Sequence, residues 1–212
     1  MGTQEANIKL NLLLEGCREL GISIDQHQER QFSRHYTTLA DWNKRINLTS
    51  ITDPEAVQTL HFLDSLTVAN ALPAGALQSG RVLDIGAGAG FPGIPLKIAY
   101  PGIKLELIEA TAKKVNFLYH LIDHLGLDGV EVRLGRAEDL ANNPNLRENF
   151  DVVLARGLAK MAALAELTLS FLRPGGLLVA HKKGDIDQEL INATTAIKVM
   201  GGKPANLQNV GA

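Results

Sequence analysis

The stretch from Arg81 to Leu96, RVLDIGAGAGFPGIPL, constrains the fold of this chain more than any other stretch. It begins with a short apolar run that is typical of a buried strand. Glycines then follow at Gly86, Gly88, Gly90 and Gly93. Glycine is needed where the backbone adopts unusual dihedral angles or approaches a ligand closely, and Pro92 is tolerated in the first turn of a helix. A strand, a glycine loop and a helix start together predict a nucleotide-binding corner.

The charge of this corner distinguishes two classes of nucleotide ligand. Gly88 to Gly93 fits the dinucleotide pattern G-x-G-x-x-G, but the glycines begin earlier, and Asp84 lies just before them. A carboxylate at this position repels a pyrophosphate, whereas it can accept hydrogen bonds from loop N–H groups or approach a cationic ligand. The sulfonium compound S-adenosylmethionine (SAM) is such a ligand. The residues therefore favour SAM, with a dinucleotide as the alternative.

Composition limits the classes of protein that this sequence can encode. Its 212 residues suffice for one ordinary domain with a small extension. No uninterrupted apolar run approaches the roughly 18 residues that span a bilayer, and the first residues lack the pattern of a secretory signal. The single cysteine, Cys17, excludes an internal disulfide and fits a reducing compartment. We therefore expect a cytoplasmic protein, and the net charge of −2 gives no overall signal for nucleic acid.

Helical patterns fill the chain up to about residue 72. Asp25 and Gln28 have the spacing of a capping box, and Asp53-Pro54-Glu55 is typical of a helix start. His61 and Asp64 could form a catalytic pair, but a hydrogen bond between them on the helix surface is the simpler interpretation. The linker-like stretch LPAGALQSG, residues 72–80, predicts a domain boundary. We expect an N-terminal helical segment over residues 1–75 and a SAM-binding domain over residues 76–212.

From Arg81 onward, strand and helix patterns alternate, which predicts an α/β fold with a parallel sheet covered on both faces. After the first strand, further strands are predicted at residues 104–108, 130–134, 150–155 and 177–180. Pro174-Gly175-Gly176 is predicted as a turn. The later helices are predicted at residues 158–172 and 185–200.

Acidic residues follow the predicted strands at the edge where open parallel sheets bind ligands. Asp84 belongs to the end of the first strand, and Glu109 ends the second. A carboxylate at Glu109 can accept both ribose hydroxyls of either NAD or SAM, and its charge excludes NADP. Glu138 follows the third strand, where a carboxylate can accept from an adenine amine or begin a helix. These positions predict a nucleoside-binding edge.

Cations recur on four loops at the same predicted edge and indicate an anionic substrate, most simply a nucleic acid backbone. They are Lys113, Lys114, Arg136, Arg156, Lys160, Lys182 and Lys183. The sequence contains no C-x-x-C, H-E-x-x-H or G-x-S-x-G motif, so no metal or hydrolytic site is predicted. Methyl transfer to a nitrogen lone pair needs an in-line approach rather than a proton acceptor, and positioning supplies most of its rate.

Several motifs in fixed order resemble one bacterial enzyme family. They are WNKRINLTSITDPEAVQTLHFLDSL, VLDIGAGAGFPGIPL, the strand end at Glu109, GRAED, FDVVLARGLA and PGGLLVAHKKG. Together, over residues 36–184, they resemble the small-subunit rRNA methyltransferases known as RsmG or glucose-inhibited division protein B. The resemblance implies a class I SAM-dependent methyltransferase with a Rossmann-like fold. It also implies methylation of N7 of a guanine in the decoding region of 16S rRNA, with S-adenosylhomocysteine as product.

The resemblance assigns roles to individual residues through these motifs. Gly86, Gly88 and Phe91 are expected to line the methionine and ribose of SAM, together with Asp84. Glu109 is expected to bind the ribose. Ala137 and Glu138 are expected to border the adenine. Arg156 is expected beside the methyl donor or the target base, as a positioning residue without a general base. The residues expected to hold RNA are Arg136, Lys113, Lys114, Lys182 and Lys183.

We also expect a monomer. Because residues 1–80 carry no strong basic patch, we expect it to act on 16S rRNA within the 30S subunit or a precursor. In one respect the sequence departs from the family, which continues past the fifth strand with a helix and a closing β-hairpin. Here the last predicted helix ends before Gly201-Gly202, and Pro204 to Ala212 have room for little more than one strand, so we expect incomplete sixth and seventh strands and an exposed sheet edge.

The sequence leaves two alternative functions open. The first is an NAD-dependent oxidoreductase, although the predicted strand ends of this sequence lack a Tyr/Lys or His/Asp pair for hydride transfer. A non-catalytic protein that binds SAM or RNA is compatible with the short C-terminus.

Overall fold

The computed structural model describes residues 8–203 of the chain. Within this range, five parallel strands form one sheet in the order β3-β2-β1-β4-β5. The strands are β1 (Arg81–Ile85), β2 (Lys104–Glu109), β3 (Val130–Leu134), β4 (Phe150–Arg156) and β5 (Leu172–His181). The predicted α/β fold with a parallel sheet is confirmed. The expectation of incomplete sixth and seventh strands concerns Pro204 to Ala212, which lie outside the described residues.

Helices precede the sheet and connect its strands. The first six are α1 (Asn11–Glu19), α2 (Gln26–Asn43), α3 (Pro54–Val57), α4 (Asp64–Leu66), α5 (Val68–Ala71) and α6 (Ala76–Ser79). Those between and after the strands are α7 (Gly93–Ala99), α8 (Ala112–Leu125), α9 (Ala137–Leu140), α10 (Met161–Thr168) and α11 (Asp187–Val199). A π-helical segment, Gln58–Leu63, joins α3 to α4, and a 3₁₀ turn, Leu169–Phe171, follows α10.

The predicted helix starts in the N-terminal segment are confirmed. The Asp25 carboxylate accepts the Gln28 N–H at 2.8 Å, and the Gln28 side chain accepts the Asp25 N–H at 2.8 Å. The Gln28 amide also donates to the Ile98 carbonyl oxygen at 2.9 Å, so this cap ties α2 to the end of α7. At α3, the Asp53 carboxylate accepts two backbone N–H groups of the first turn. These caps satisfy donors that a helix leaves unpaired.

The prediction around the fifth strand is wrong in two details. Pro174-Gly175-Gly176 does not form a separate turn before the strand, because β5 runs through it. Phe150 pairs with Leu172 and Val152 pairs with Leu177, so the extra residues form an irregularity in the ladder instead. The helix predicted over residues 158–172 begins only at Met161 and ends at Thr168. Residues 157–160, between β4 and α10, therefore form a loop rather than the first turn of a helix.

Alternate residues of the central strands face two different hydrophobic clusters. Val82 and Leu154 pack with the N-terminal helices in the larger cluster, which includes Phe32 and Phe62. Leu83 belongs to a second cluster on the other face. This alternation has the period of two that strands require. The N-terminal helices thus share a core with one face of the sheet, while the boundary at residues 72–80 stays a prediction.

None of the helices within residues 8–203 has both the length and the apolar character to cross a bilayer.

Candidate cofactor and substrate site

The glycine loop turns sharply away from β1 at the carboxyl edge of the sheet. The N–H groups of Gly86 and Ala87 both donate to the Ile108 carbonyl oxygen, at 2.9 and 3.1 Å. Gly86 has a φ angle of +73°, and a Cβ atom there would lie 2.9 Å from the Leu158 side chain. A larger residue at Gly86 would therefore strain the backbone and collide with the loop after β4.

Asp84 is a fully buried carboxylate beneath this loop. One oxygen, Oδ2, accepts the Gly93 N–H at 2.8 Å, which confirms the predicted hydrogen bond to a loop N–H group. The other oxygen, Oδ1, has no hydrogen-bond partner among the described residues. Burial raises the pKa of Asp84 from its ordinary value of 3.8 to about 7, although the Gly93 hydrogen bond and the Arg156 charge oppose this shift. A ligand that brings a cationic N–H donor would satisfy the unpaired oxygen, and the ammonium group of SAM is such a donor.

Glu109 fixes the loop from the end of β2. Its Oε2 atom accepts the Gly88 N–H at 3.0 Å, and its Oε1 atom accepts the Thr111 N–H at 2.8 Å. The side chain is only 6% exposed. Each carboxylate oxygen keeps a second lone pair, so the residue can also accept ribose hydroxyls, as the sequence predicts.

The residues predicted to border the adenine lie at the start of α9. Ala137 is buried, whereas Glu138 is exposed and accepts a hydrogen bond from Arg136 at 3.3 Å. An exposed ion pair of this kind contributes little to stability, so both side chains are available to a ligand. The roles of Ala137, Glu138 and Arg136 stay predictions.

Arg156, at the end of β4, is held by the N-terminal segment. Its NH2 group donates to the Leu60 carbonyl oxygen at 2.7 Å and to His61 Nδ1 at 3.1 Å. Its Nε atom lies 3.3 Å from Asp64 Oδ2. The NH1 group is buried and has no hydrogen-bond partner among the described residues. The interpretation of His61 and Asp64 as a pair on a helix surface is therefore wrong, because both residues point to Arg156 across the domain.

Phe91 of the glycine loop is stacked between two histidine rings. Its ring centroid lies 4.4 Å from that of His61 and 4.9 Å from that of His35, and both pairs are nearly parallel. Burial lowers the pKa of His61 to about 4 and that of His35 to about 3, so both rings are neutral near pH 7. Since Phe91 is 8% exposed, its ring chiefly anchors the loop to the N-terminal helices. Its predicted contact with SAM stays a prediction.

Sequence reasoning did not single out His35. It lies on the same face of α2 as Phe32 and Leu39, and its Nε2 atom lies 3.2 Å from the Ala89 carbonyl oxygen. The available signal was a polar ring at helix spacing within an apolar stripe. A histidine in such a stripe is usually a structural core residue. His35 belongs to the site only because α2 packs on the glycine loop.

The predicted RNA-binding cations fall into two groups. Lys113, Arg136 and Lys183 are exposed, and Lys114 is partly exposed. Lys182 differs from them, because its ammonium group forms an ion pair with Glu189 and donates to the Ala159 carbonyl oxygen at 2.8 Å. Lys182 thus joins the loop before α10 to α11, and two of its three ammonium donors are engaged within the protein.

Comparison with known proteins identifies the family. The family model described as rRNA small subunit methyltransferase G matches residues 28–212. The chain belongs to this family. A relative of that name in Dehalococcoides mccartyi (strain CBDB1) is 50% identical over 194 residues, which are 92% of this chain and 81% of the relative. Another in Streptococcus thermophilus (strain CNRZ 1066) is 45% identical over 194 residues, 91% of this chain and 81% of the relative. The predicted family resemblance is confirmed.

Solved structures agree on the fold. A putative O-methyltransferase from Klebsiella pneumoniae superposes with a TM-score of 0.52 at 18% identity, over 92% of this chain and 84% of its own. A putative S-adenosyl-L-methionine-dependent methyltransferase from Methanococcus maripaludis gives 0.51 at 13% identity, over 76% and 68% of the two chains. These similarities support the Rossmann-like methyltransferase fold. The family assignment favours SAM over NAD as the cofactor.

Proposed function

We propose that this protein transfers the methyl group of SAM to N7 of a guanine in the decoding region of 16S rRNA, releasing S-adenosylhomocysteine. The observation that carries this proposal is that Asp84 Oδ1 and Arg156 NH1, at the carboxyl ends of the adjacent strands β1 and β4, are both buried and have no hydrogen-bond partner among the described residues. One is an acceptor for the cationic end of SAM, and the other is a donor for the substrate. The family assignment supplies the substrate class that these groups serve.

The corner offers acceptors of the kind that the polar groups of SAM require. Asp84 Oδ1 would accept from the ammonium group, and the free lone pairs of Glu109 would accept from the ribose hydroxyls. Ala137 and Glu138 would border the adenine. When bound, SAM supplies an electrophilic methyl group and carries the positive charge that a carboxylate at Asp84 attracts.

Methyl transfer to N7 requires the protein to position the two reactants and does not require a general base. N7 of guanine carries no proton and has a free lone pair, so no residue has to remove a proton. The neutral His61 is held by Arg156 and stacked on Phe91, and it is not required as a proton acceptor. Arg156 would orient the guanine through its O6 atom or through a neighbouring phosphate. The alignment of the lone pair with the methyl group then provides most of the rate.

The exposed cations of the same edge would hold the RNA backbone. They are Lys113, Lys114, Arg136 and Lys183. Because these cations are few and the chain carries a net charge of −2, we propose that the assembled 30S subunit or a precursor, rather than free rRNA, is the substrate. We also propose a cytoplasmic monomer composed of the helical segment 1–75 and the methyltransferase domain 76–212.

Two experiments test the proposal. Thermal unfolding is measured first with S-adenosylhomocysteine and with NAD, since a ligand at about 100 times its Kd stabilises by roughly 2.7 kcal/mol. We expect a shift with S-adenosylhomocysteine and none with NAD. The opposite result would overturn the cofactor assignment.

The second experiment follows transfer from SAM labelled in the methyl group. The acceptors are 30S subunits lacking the modification, free 16S rRNA and, as a control, 50S subunits. We expect 7-methylguanosine in 16S rRNA from the 30S reaction, located by mass spectrometry of nuclease fragments. Cofactor binding without transfer to either RNA acceptor would instead indicate a non-catalytic binding protein. Transfer at another base atom would refute the N7 assignment.

A further inference from the structure

The loop after α2 holds one hydroxyl group in a fixed place. The side chain of Asn43, the last residue of α2, donates to the Thr49 carbonyl oxygen at 2.9 Å. It also accepts the N–H groups of Leu48 and Thr49, at 2.8 and 3.0 Å. The Thr49 hydroxyl oxygen in turn accepts the Ile51 N–H at 3.0 Å. The position of this oxygen is thus set by four hydrogen bonds within residues 43–51.

The Thr49 hydroxyl oxygen lies 2.8 Å from Nε2 of His61. The other ring nitrogen, Nδ1, lies 3.1 Å from NH2 of Arg156. A guanidinium group has only donors, so Nδ1 must be the acceptor in this contact and cannot carry the proton. The proton is therefore on Nε2, which donates to Thr49. The Arg156 contact selects this tautomer of the neutral imidazole, and Thr49 supplies the acceptor for its Nε2 proton.

The charges around His61 agree with a neutral ring. Burial lowers the pKa of His61 most, and Arg156 and Lys183 lower it further, while the Leu60 backbone and Asp64 oppose them. His35, which packs on the same Phe91 ring, is itself neutral near pH 7. A protonated His61 would present an N–H donor to the Arg156 donor and would lose this hydrogen bond.

The same contacts leave a defined part of Arg156 available. Its Nε and NH2 groups are engaged by Asp64, Leu60 and His61, all within the π-helical segment or directly after it. Short π-helical segments are frequent at functional sites. The remaining NH1 group has no partner within the described part of the chain. The guanidinium is thus fixed on one side and unsatisfied on the other.

We propose that Thr49 is a positioning residue for methyl transfer: by accepting the Nε2 proton of His61, it fixes the ring that holds Arg156 with NH1 directed to the substrate. This inference rests on the proposed function. It also makes the N-terminal segment part of the active site rather than a cover over the fold. Without Thr49, the Nε2 proton of His61 loses its acceptor, and the ring is no longer fixed against Arg156.

The test compares T49V, which keeps the shape and removes the hydroxyl, with T49S, which keeps the hydroxyl. The control T59V makes the same change on the neighbouring π-helical segment, where the exposed Thr59 hydroxyl donates only to helix carbonyls. The loss of a neutral hydrogen bond corresponds to about a tenfold effect. We expect kcat for 30S methylation to fall by about this factor in T49V, to be largely restored in T49S and to be unchanged in T59V.

A structural role alone would change other quantities. We expect T49V to keep the KM for SAM and the Kd for S-adenosylhomocysteine within about twofold of wild type, because Thr49 contacts none of the predicted cofactor residues. Long-range ¹H–¹⁵N spectra of the imidazole should show the Nε2-protonated tautomer of His61 in the wild type and T49S, and a shifted Nε2 resonance in T49V, where the Nε2 proton has lost its acceptor. Wild-type kcat in T49V, or a kcat loss accompanied by an equal loss of cofactor affinity, would overturn the inference. A wild-type protein that methylates no 30S subunit would refute the proposed function instead.

Discussion

Replacement of Asp84 by asparagine should stabilise the ligand-free protein at alkaline pH while it weakens cofactor binding. In the wild type, the carboxylate is fully buried, and among the described residues only its Oδ2 atom has a hydrogen-bond partner, the Gly93 N–H. Asparagine keeps an oxygen for Gly93 and removes the buried charge. We expect its NH₂ group to take the position of Oδ1, which has no hydrogen-bond partner among the described residues, and to remain unpaired.

The pKa of Asp84 sets the size and the sign of the effect. The ordinary value is 3.8, and burial raises it to about 7 in the folded protein. Between these values the folded state binds more protons than the unfolded state, so stability falls as pH rises from about 4 to about 7 and is constant above. The difference between the two pKa values corresponds to a loss of stability of roughly 4 kcal/mol at pH 8. At pH 5.5, where only part of this range has been passed, the loss is roughly 2 kcal/mol. An unpaired NH₂ group costs about 1–3 kcal/mol at either pH.

We therefore expect D84N to be more stable than the wild type by about 1–3 kcal/mol at pH 8 and nearly equal to it at pH 5.5. For a chain of this size, each kcal/mol corresponds to about 2–4 °C in the unfolding midpoint. Calorimetry of both proteins at the two pH values measures this. Titration with S-adenosylhomocysteine should show at least about tenfold weaker binding to D84N, since a charge-assisted hydrogen bond is lost.

Two outcomes would refute the reasoning about Asp84. A D84N protein that is less stable than the wild type at pH 8 would show that the buried charge of Asp84 does not destabilise the folded protein. A stability difference that is the same at both pH values would show that Asp84 does not titrate in this range.

Three further substitutions test separate parts of the structure. E109A removes the acceptor of two backbone N–H groups, so calorimetric titration should show S-adenosylhomocysteine affinity reduced by at least about tenfold, and an unchanged affinity would contradict this. D25A removes the capping box of α2 and should lower the free energy of unfolding by about 1 kcal/mol in urea titration, with cofactor affinity unchanged. F62A empties a fully buried site beside Phe32 and should cost about 3–5 kcal/mol by the same titration, whereas a loss below about 1 kcal/mol would mean that the core refills.

Much of the fold follows from local patterns in the sequence. The alternation of apolar strands with helices predicted the parallel sheet, and the Asp25 and Gln28 spacing predicted the cap of α2. These patterns succeed because their physics acts between near neighbours, through backbone hydrogen bonding and burial of one face. The glycine loop belongs with them, since the need for positive φ angles at Gly86 and Gly88 is local. Pro174-Gly175-Gly176 is the exception, because β5 already pairs with β4 at Leu172, before this stretch that locally resembles a turn.

The sequence by itself determined the sheet, the glycine loop and the class of ligand, whereas only the tertiary structure decided the surroundings of Arg156. His61 lies 95 residues from Arg156 along the chain, and no local pattern connects them. Their contact exists because the N-terminal helices share a core with one face of the sheet. The same packing places His35 and His61 around Phe91, and the docking of α11 against the loop before α10 pairs Lys182 with Glu189. Side chains that meet across elements depend on how whole faces pack, and their charge, tautomer and partners are therefore set only when the domain is assembled.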